Sequence, residues 1–123
     1  MKPKVRVGVA YITGCLLGER SSVSSVYDFD NRKYTNMSGE VSESKINVYD
    51  FEMSCHITGN GKNGEYSIYH YGTGKHINIT VNKSQKTFNG YDHDTGKHFS
   101  GDVRNNSISI YDYETSKYYR FSI

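Results

Sequence analysis

The 123-residue sequence has no tryptophan, a single proline and two cysteines. Cys15 and Cys55 are too few for a disulfide scaffold and do not stand in a CxxC or other metal-ligand spacing, so they are predicted to be buried or free thiols. The sequence also lacks any run that approaches the roughly 20 apolar residues of a membrane-crossing helix. We therefore expect no transmembrane segment.

A strong charge of either sign is absent as well. The chain carries 15 Lys and Arg against 13 Asp and Glu, a formal net charge of +2, with both signs interspersed. Such a surface lacks the basic patch that nucleic acids or anionic membranes require. No nucleophile elbow, phosphate-binding loop, HExxH motif or dinucleotide fingerprint occurs either. The sequence thus predicts a protein that is not an enzyme and does not bind nucleic acid.

Tyrosine and glycine are abundant, with 12 residues of each, a composition that favours strands and turns. From residue 26 onward a tyrosine motif recurs every 20 or 22 residues: VYDF at 26–29, VYDF at 48–51, IYHY at 68–71, GYDH at 90–93 and IYDY at 110–113. A period of this length indicates one supersecondary unit per repeat. The sequence predicts a single all-β domain over residues 1–123. It is an antiparallel meander of five tandem β-hairpin repeats that start near residues 26, 48, 68, 90 and 110.

Alternation along each predicted strand separates an aromatic face from an aliphatic face. With symmetric turns, Phe29 stands opposite Tyr34 in the first hairpin, and Thr58 stands opposite Tyr69 across an Asn-Gly turn. One row of the aromatic face then consists of rings alone: Phe29, Tyr34, Phe51, His56, Tyr71, His76, His93, His98, Tyr113 and Tyr118. The aspartates that follow the repeated tyrosines are expected to accept hydrogen bonds from backbone N–H groups of the turns.

The predicted register is constant across all ten hairpin strands, whereas a closed barrel needs a staggered register. We therefore predict an open or rolled sheet, or a sandwich, rather than a simple closed barrel. From Val5 to Tyr11, apolar residues alternate with other residues, which predicts an additional N-terminal strand. The aliphatic face of so wide a sheet must be covered. We expect the sheet to fold on itself or a second copy to pack against it, which favours a homo-oligomer.

The aromatic face is the predicted ligand-binding surface. Its second row alternates the repeated tyrosines with Asn36, Thr58, Asn78, Ser100 and Arg120. Rigid amphipathic rings beside short polar side chains suit a glycan, a partner protein or another copy of the chain. Because tyrosine is also a good strand former, a purely structural role is the alternative. The candidate ligand-binding residues are Tyr49, Tyr69, Tyr91, Tyr111, Tyr71 and Tyr113. The leading hypothesis is a non-enzymatic binding or structural protein, with a glycan-binding surface module as the first alternative.

Three histidines give a second alternative, a metal-binding protein. His76, His93 and His98 fall on successive strands of the ring row, where neighbouring Cβ atoms are about 5 Å apart. Three imidazoles so placed can bind Zn²⁺ or another transition metal. A histidine also simply fills a position that Phe or Tyr fills elsewhere in the row, and no carboxylate on this face would orient the ligands. Zinc is thus the one cofactor that the sequence suggests.

Tandem hairpins of about 20 residues that carry GKHFSG at 96–101 or SKYYRFS at 116–122 resemble the choline- or glucan-binding repeats of bacterial surface proteins. The resemblance covers the turns and their spacing over about 100 residues of the chain. It implies a hairpin-repeat fold and an aromatic binding surface. The chain departs from that family in having no tryptophan, so the aromatic cages that bind choline there have no counterpart in this sequence.

The N-terminal residues bear on the cell compartment. Ile12-Thr13-Gly14-Cys15, preceded by basic residues, matches the ending of a bacterial lipobox and suggests a lipoprotein or surface protein anchored through Cys15. The preceding apolar run is short for a signal peptide, and its alternation is typical of a strand. The cytoplasm is therefore favoured over anchoring.

Overall fold

The computed structural model describes residues 1–19 and 23–123, which form one helix and ten strands. The helix α1 spans Pro3–Leu17. The strands are β1 (Ser25–Asp28), β2 (Lys33–Val41), β3 (Lys45–Asp50), β4 (Cys55–Lys62), β5 (Glu65–His70), β6 (Lys75–Asn82), β7 (Thr87–Asp92), β8 (Lys97–Arg104), β9 (Ser107–Asp112) and β10 (Lys117–Ser122).

The ten strands close into a barrel, in which each strand is antiparallel to its neighbours in the chain and β10 returns to pair with β1. Across that seam Tyr27 faces Ser122 and Asp28 faces Phe121. The predicted all-β antiparallel hairpin meander is therefore confirmed. The predicted open or rolled sheet, or sandwich, is wrong, because the sheet closes on itself.

The closure depends on a register that differs from the predicted one. In each repeat the ring that follows the turn pairs with the repeated tyrosine of the motif. The predicted register pairs it instead with the ring two residues after that tyrosine. Tyr69, for example, pairs with His76. The predicted pairing of Phe29 with Tyr34 is wrong by two residues, since Tyr27 takes the place of Phe29. Each of the five hairpins thus adds a shift of two residues relative to the symmetric turn.

The shift comes from four-residue turns that end in a left-handed residue. The fourth turn residue has a φ between 52° and 70° in every hairpin: Arg32, Ser54, Gly74, Gly96 and Ser116. The link at Asn63 and Gly64 adds no shift, and Thr58 pairs with Tyr69 as predicted. Because the hairpin turns all move the register in the same direction, a stagger accumulates around the sheet. That stagger is the shear that a closed barrel requires.

The N-terminal segment is a helix and not the predicted strand. All residues from Val5 to Gly14 lie in α1 and are buried in the barrel interior. A helix buried on every side has no polar face, so its sequence lacks the 3.6-residue periodicity of an amphipathic helix. In the closed barrel every strand already has two neighbours, so a further strand would find no partner. A helix instead satisfies its own backbone hydrogen bonds.

The aliphatic face lines the interior and packs around α1. Gly8 and Gly14 let the helix approach the wall, since a Cβ atom on Gly8 would lie 2.7 Å from the Cδ1 atom of Ile57. A Cβ atom on Gly14 would lie 3.0 Å from side-chain carbons of Ile108 and Ile123. The helix therefore covers the aliphatic face, and the second copy that was expected there is not needed to cover it. Across residues 1–19 and 23–123, no helix has the length and hydropathy needed to cross a membrane.

Candidate functional site: an aromatic collar

Fifteen rings surround the outside of the barrel at the end that carries the hairpin turns. They form five copies of one three-ring cluster, which we call together the aromatic collar. Each cluster has a central tyrosine at the end of one strand: Tyr27, Tyr49, Tyr69, Tyr91 or Tyr111. Two outer rings flank each central tyrosine: Phe29 and Tyr34, Phe51 and His56, Tyr71 and His76, His93 and His98, and Tyr113 and Tyr118.

The geometry of the clusters is nearly the same in all five repeats. In the third, the ring of Tyr69 lies 4.8 Å from that of Tyr71 at an interplanar angle of 83°, and 5.0 Å from that of His76 at 68°. Centroid distances in the other clusters range from 4.7 to 5.0 Å. Edge-to-face pairs at these distances are favourable, by roughly 0.5–1.5 kcal/mol each beyond their buried area. The central tyrosine is therefore held on two sides.

The outer rings remain accessible to solvent despite these contacts. The six that are Phe or Tyr are all more than half exposed, from 51% for Phe29 to 69% for Tyr118. All ten outer rings, including the four histidines, are exposed, whereas the central tyrosines are half-buried. The collar thus presents five clusters of exposed aromatic edges and faces around one end of the barrel.

The structure brings the predicted site residues together in the collar but gives them two different positions. Tyr49, Tyr69, Tyr91 and Tyr111 are central rings, and Tyr71 and Tyr113 are outer rings. Five further exposed rings were not among the predicted site residues: Phe29, Tyr34, Phe51, His56 and Tyr118. Their place in the predicted ring row was the signal that could have identified them as site residues.

The three histidines do not form a metal-ligand group. His93 and His98 lie on either side of the Tyr91 ring, with centroids 4.8 Å from it, and His76 packs against Tyr69. Within the described ranges no group of three or more His, Cys, Asp or Glu could hold a metal ion. Zinc binding by His76, His93 and His98 thus lacks geometric support, because a tyrosine ring stands between two of the three.

Short polar side chains border the collar on the side away from the turns. Thr58, Asn78 and Ser100 each pair across the strands with a central tyrosine of the next repeat. The Oδ1 atom of Asn78 also lies 3.0 Å from the Nε2 atom of His93. Each of these repeats therefore offers a hydroxyl or amide group beside its rings.

Inside the barrel, at the same end, polar side chains cap the hairpin turns. Four aspartates and one histidine each accept a hydrogen bond from the backbone N–H group two residues further on, at 2.9–3.1 Å: Asp28, Asp50, His70, Asp92 and Asp112. The predicted role of the aspartates is confirmed. All five side chains are buried, so their charge states depend on their individual surroundings.

Those surroundings move the pKa values in different directions. Burial raises the pKa of Asp50, more than hydrogen bonds from Met53 and Glu52 lower it. Burial also acts to raise the pKa of Asp112, but hydrogen bonds from the Met1 amino group, the Glu114 backbone and Arg6 outweigh it and lower the value. The equivalent carboxylates of the second and fifth repeats thus have pKa values that are shifted in opposite directions.

Both cysteines are free thiols, as expected. Cys15 lies in α1, and burial raises its pKa to about 11 against the effect of a hydrogen bond from Tyr11. Burial also raises the pKa of Cys55. Cleavage before Cys15, which the lipobox motif would require, removes residues 1–14, which include the buried helical residues from Val5 to Gly14.

Comparison of the chain with protein-family models, with curated proteins and with solved structures found no match. We therefore infer the function from the geometry of the collar and of the barrel mouth.

Proposed function

We propose that this chain is a non-enzymatic binding protein that captures its ligand on the outer rings of the aromatic collar. The observation that carries the proposal is the exposure of six large Phe and Tyr side chains around one end of a small barrel. Exposed aromatic belts of this size on a soluble scaffold commonly mark binding surfaces. Because the rings are held by the strands and by edge-to-face packing, a ligand would meet them with little loss of conformational freedom.

The division into central and outer rings supports separate roles. A central tyrosine such as Tyr69 contacts two rings and is half-buried, so it stabilises the hairpin. The outer rings Tyr71 and Tyr113 are 59% and 54% exposed. Their outer surfaces contribute little to the fold and are free to contact a ligand.

Glycans are the ligand class that the collar favours. Sugars present apolar C–H faces that pack on rings and hydroxyl groups that need hydrogen-bond partners. Thr58, Asn78 and Ser100 place such partners beside the rings in successive repeats, and none of the three is charged. The five-fold repetition of the cluster suits a polymer with a repeating unit, since several weak contacts on one chain combine into higher avidity.

The test is a binding assay on insoluble cellulose, chitin, starch and xylan, supported by a glycan array. We expect the wild-type protein to bind at least one polysaccharide, and the Tyr71→Ser, Tyr113→Ser double variant to lose most of that binding while its circular dichroism spectrum still shows the folded barrel. The matched control is Asn60→Ser with Thr80→Ser, two exposed positions outside the collar. Equal binding by the collar variant, or no binding by the wild type, would contradict the glycan proposal.

A second copy of the chain is the other candidate ligand for the collar. Light scattering coupled to size-exclusion chromatography measures the oligomeric state directly. Self-association predicts a dimer or larger species that the Tyr71→Ser, Tyr113→Ser variant converts to a monomer. A wild-type protein that stays monomeric at high concentration would exclude this candidate and leave the glycan assay to decide.

A further inference from the structure

Asp50 differs from the other three capping aspartates in the hydrogen bonding of its second carboxylate oxygen, Oδ2. Oδ2 of Asp28 accepts a hydrogen bond from Asn31 at 2.7 Å, and Oδ2 of Asp92 accepts one from Thr95 at 3.2 Å. Oδ2 of Asp112 accepts hydrogen bonds from Arg6 and from the amino group of Met1. Among the described residues, Oδ2 of Asp50 has no such donor, although the Asp50 side chain is only 1% exposed.

The difference has a cause in the sequence. Three residues after the aspartate, the first and fourth repeats carry Asn31 and Thr95, whose side chains reach Oδ2. The second repeat carries Met53 at this position, which has no polar hydrogen to donate. Oδ2 of Asp50 is thus a carboxylate oxygen to which the protein supplies no donor, and it is available to accept a hydrogen bond from a ligand.

Asp50 lines a cavity of about 340 Å³ at the mouth of the barrel, between the first turns of α1 and the strands β1 to β3. Pro3 and Val7 of the helix form an apolar wall, and Thr35 adds a hydroxyl group on the β2 side. Ligand pockets commonly begin at about 300 Å³ and combine apolar walls with a few placed polar groups. The cavity therefore has the size and lining of a site for a small molecule.

The charges around the cavity indicate the sign of the ligand. Lys4 and Lys33 stand at its rim, but both pair with the Glu52 carboxylate, at 3.6 and 2.6 Å between nitrogen and oxygen. Asp28 is satisfied by its own turn. Asp50 is thus the group at this site whose charge has no paired cation and whose Oδ2 has no donor.

We propose that this cavity binds a small organic ammonium compound, whose N–H groups would donate to Oδ2 of Asp50 while its alkyl group packs against Pro3 and Val7. An ammonium group supplies both the missing donor and the missing positive charge. A neutral alcohol supplies only a donor, and a carboxylate supplies neither. The site lies inside the barrel mouth, so it is separate from the collar on the outer surface.

Isothermal titration calorimetry with propylammonium, propanol and propionate tests the proposal on the whole chain. We expect propylammonium to bind and the other two to give no heat of binding. Asp50→Asn keeps the acceptor for the turn amides but removes the charge, and it should weaken propylammonium binding roughly tenfold to a hundredfold. The matched control is Asp92→Asn, an equivalent position two hairpins further along whose Oδ2 is held by Thr95.

A second variant keeps the test decisive if Asp50→Asn perturbs the fold. Thr35→Leu places a larger side chain in the cavity and leaves Asp50 intact, so it should block propylammonium as well. Loss of binding in both variants and retention in Asp92→Asn would support the site. Absence of propylammonium binding by the wild-type protein, equal binding of propanol, or unchanged binding by Asp50→Asn would each overturn it.

Discussion

The guanidinium group of Arg6 and the carboxylate of Asp112 form an ion pair inside the barrel, with 3.2 Å between Nη2 and Oδ2. The same guanidinium group lies 3.5 Å from the centre of the Tyr119 ring and donates a hydrogen bond to the carbonyl oxygen of Met1. Both members of the pair are almost fully buried. The pair fixes how far α1 enters the barrel and how it is rotated, which apolar packing alone would specify less sharply.

Removing the carboxylate charge should therefore destabilise the protein strongly. We expect Asp112→Asn to reduce the free energy of unfolding by about 3–5 kcal/mol, because it leaves the Arg6 charge buried without its partner. Urea denaturation followed by circular dichroism measures the loss. The pKa of Asp112 is lowered in the folded state, so this contribution is present above its ordinary value of 3.8 and is lost as the pH falls through the lowered pKa. A loss below 1 kcal/mol would contradict the assigned role.

Asp50→Asn, the same substitution at the equivalent position of the second repeat, should not lower the free energy of unfolding. Burial raises the pKa of Asp50, so its carboxylate costs more free energy in the folded protein than in the unfolded chain. Asp50→Asn keeps an acceptor for the backbone N–H groups of Glu52 and Met53 and removes that charge. We expect an unchanged or raised free energy of unfolding, by up to about 1 kcal/mol. A clear destabilisation at pH 7 would show that the charge is compensated in the folded protein.

His70 should make the protein sensitive to mild acid. Burial lowers its pKa, against the opposing effect of Asp50 and Asp92, and within the described residues its Nε2 atom has no hydrogen-bond partner. The folded state thus binds fewer protons than the unfolded state. The contribution of His70 to the free energy of unfolding is fully present above its ordinary pKa of 6.5. It declines as the pH falls from there towards the lowered pKa of the folded state.

Melting temperatures measured between pH 8 and pH 5 check this expectation. His70→Asn retains an acceptor for the Gly72 backbone N–H group and cannot be protonated in this range. Its melting temperature should fall less steeply with acidification than that of the wild type. Parallel curves for the two proteins would exclude His70 as the source.

The hairpin turns offer a stabilising change. Ser116 ends its turn with a φ of 57°, where the equivalent turn residues in the third and fourth repeats are Gly74 and Gly96. A left-handed conformation costs a residue with a Cβ atom roughly 1–2 kcal/mol, part of which glycine offsets by its greater freedom when unfolded. We expect Ser116→Gly to raise the free energy of unfolding by about 0.5–1 kcal/mol. Gly74→Ala is the converse control and should lower it.

Cys15 should be chemically inert in the folded protein. Its pKa of about 11, against an ordinary value of 9.0, reduces the thiolate available at pH 8 on the order of 100-fold. Iodoacetamide should therefore alkylate Cys15 far more slowly in the native protein than in urea, as followed by peptide mass spectrometry. Comparable rates in the two conditions would mean that α1 leaves the barrel readily.

The hairpins were predictable because their signals are local. Tyrosine spacing, polar turns and the Asn63-Gly64 link determine strands and connections within about 20 residues. The register was not predictable to the residue, since it depends on the left-handed fourth residue of each turn. Three of these residues, Arg32, Ser54 and Ser116, are not glycine and give no sign of positive φ in the sequence.

The helix was missed for a different reason. Val5, Val7 and Val9 are β-branched and alternate with smaller or polar residues, which is the local pattern of a strand. Their helical state is imposed by the surroundings, because the interior of the barrel is apolar on every side of them. The composition of the collar was predictable, since a ring row follows from alternation alone. The distinction between central and outer rings was not, because it depends on the two-residue shift.

The helix inside the barrel also constrains how this protein can evolve. Arrays of stacked repeats gain and lose units without altering the remaining ones, because each unit contacts only its neighbours. Here each added hairpin would widen the circumference, while the interior is filled by a single helix about 10 Å across. A barrel of six hairpins would leave gaps around α1. A barrel of only four hairpins would be too narrow to hold the helix. Duplication of the hairpin could therefore proceed until the sheet fitted around one helix, and the diameter of that helix then set the number of copies at five.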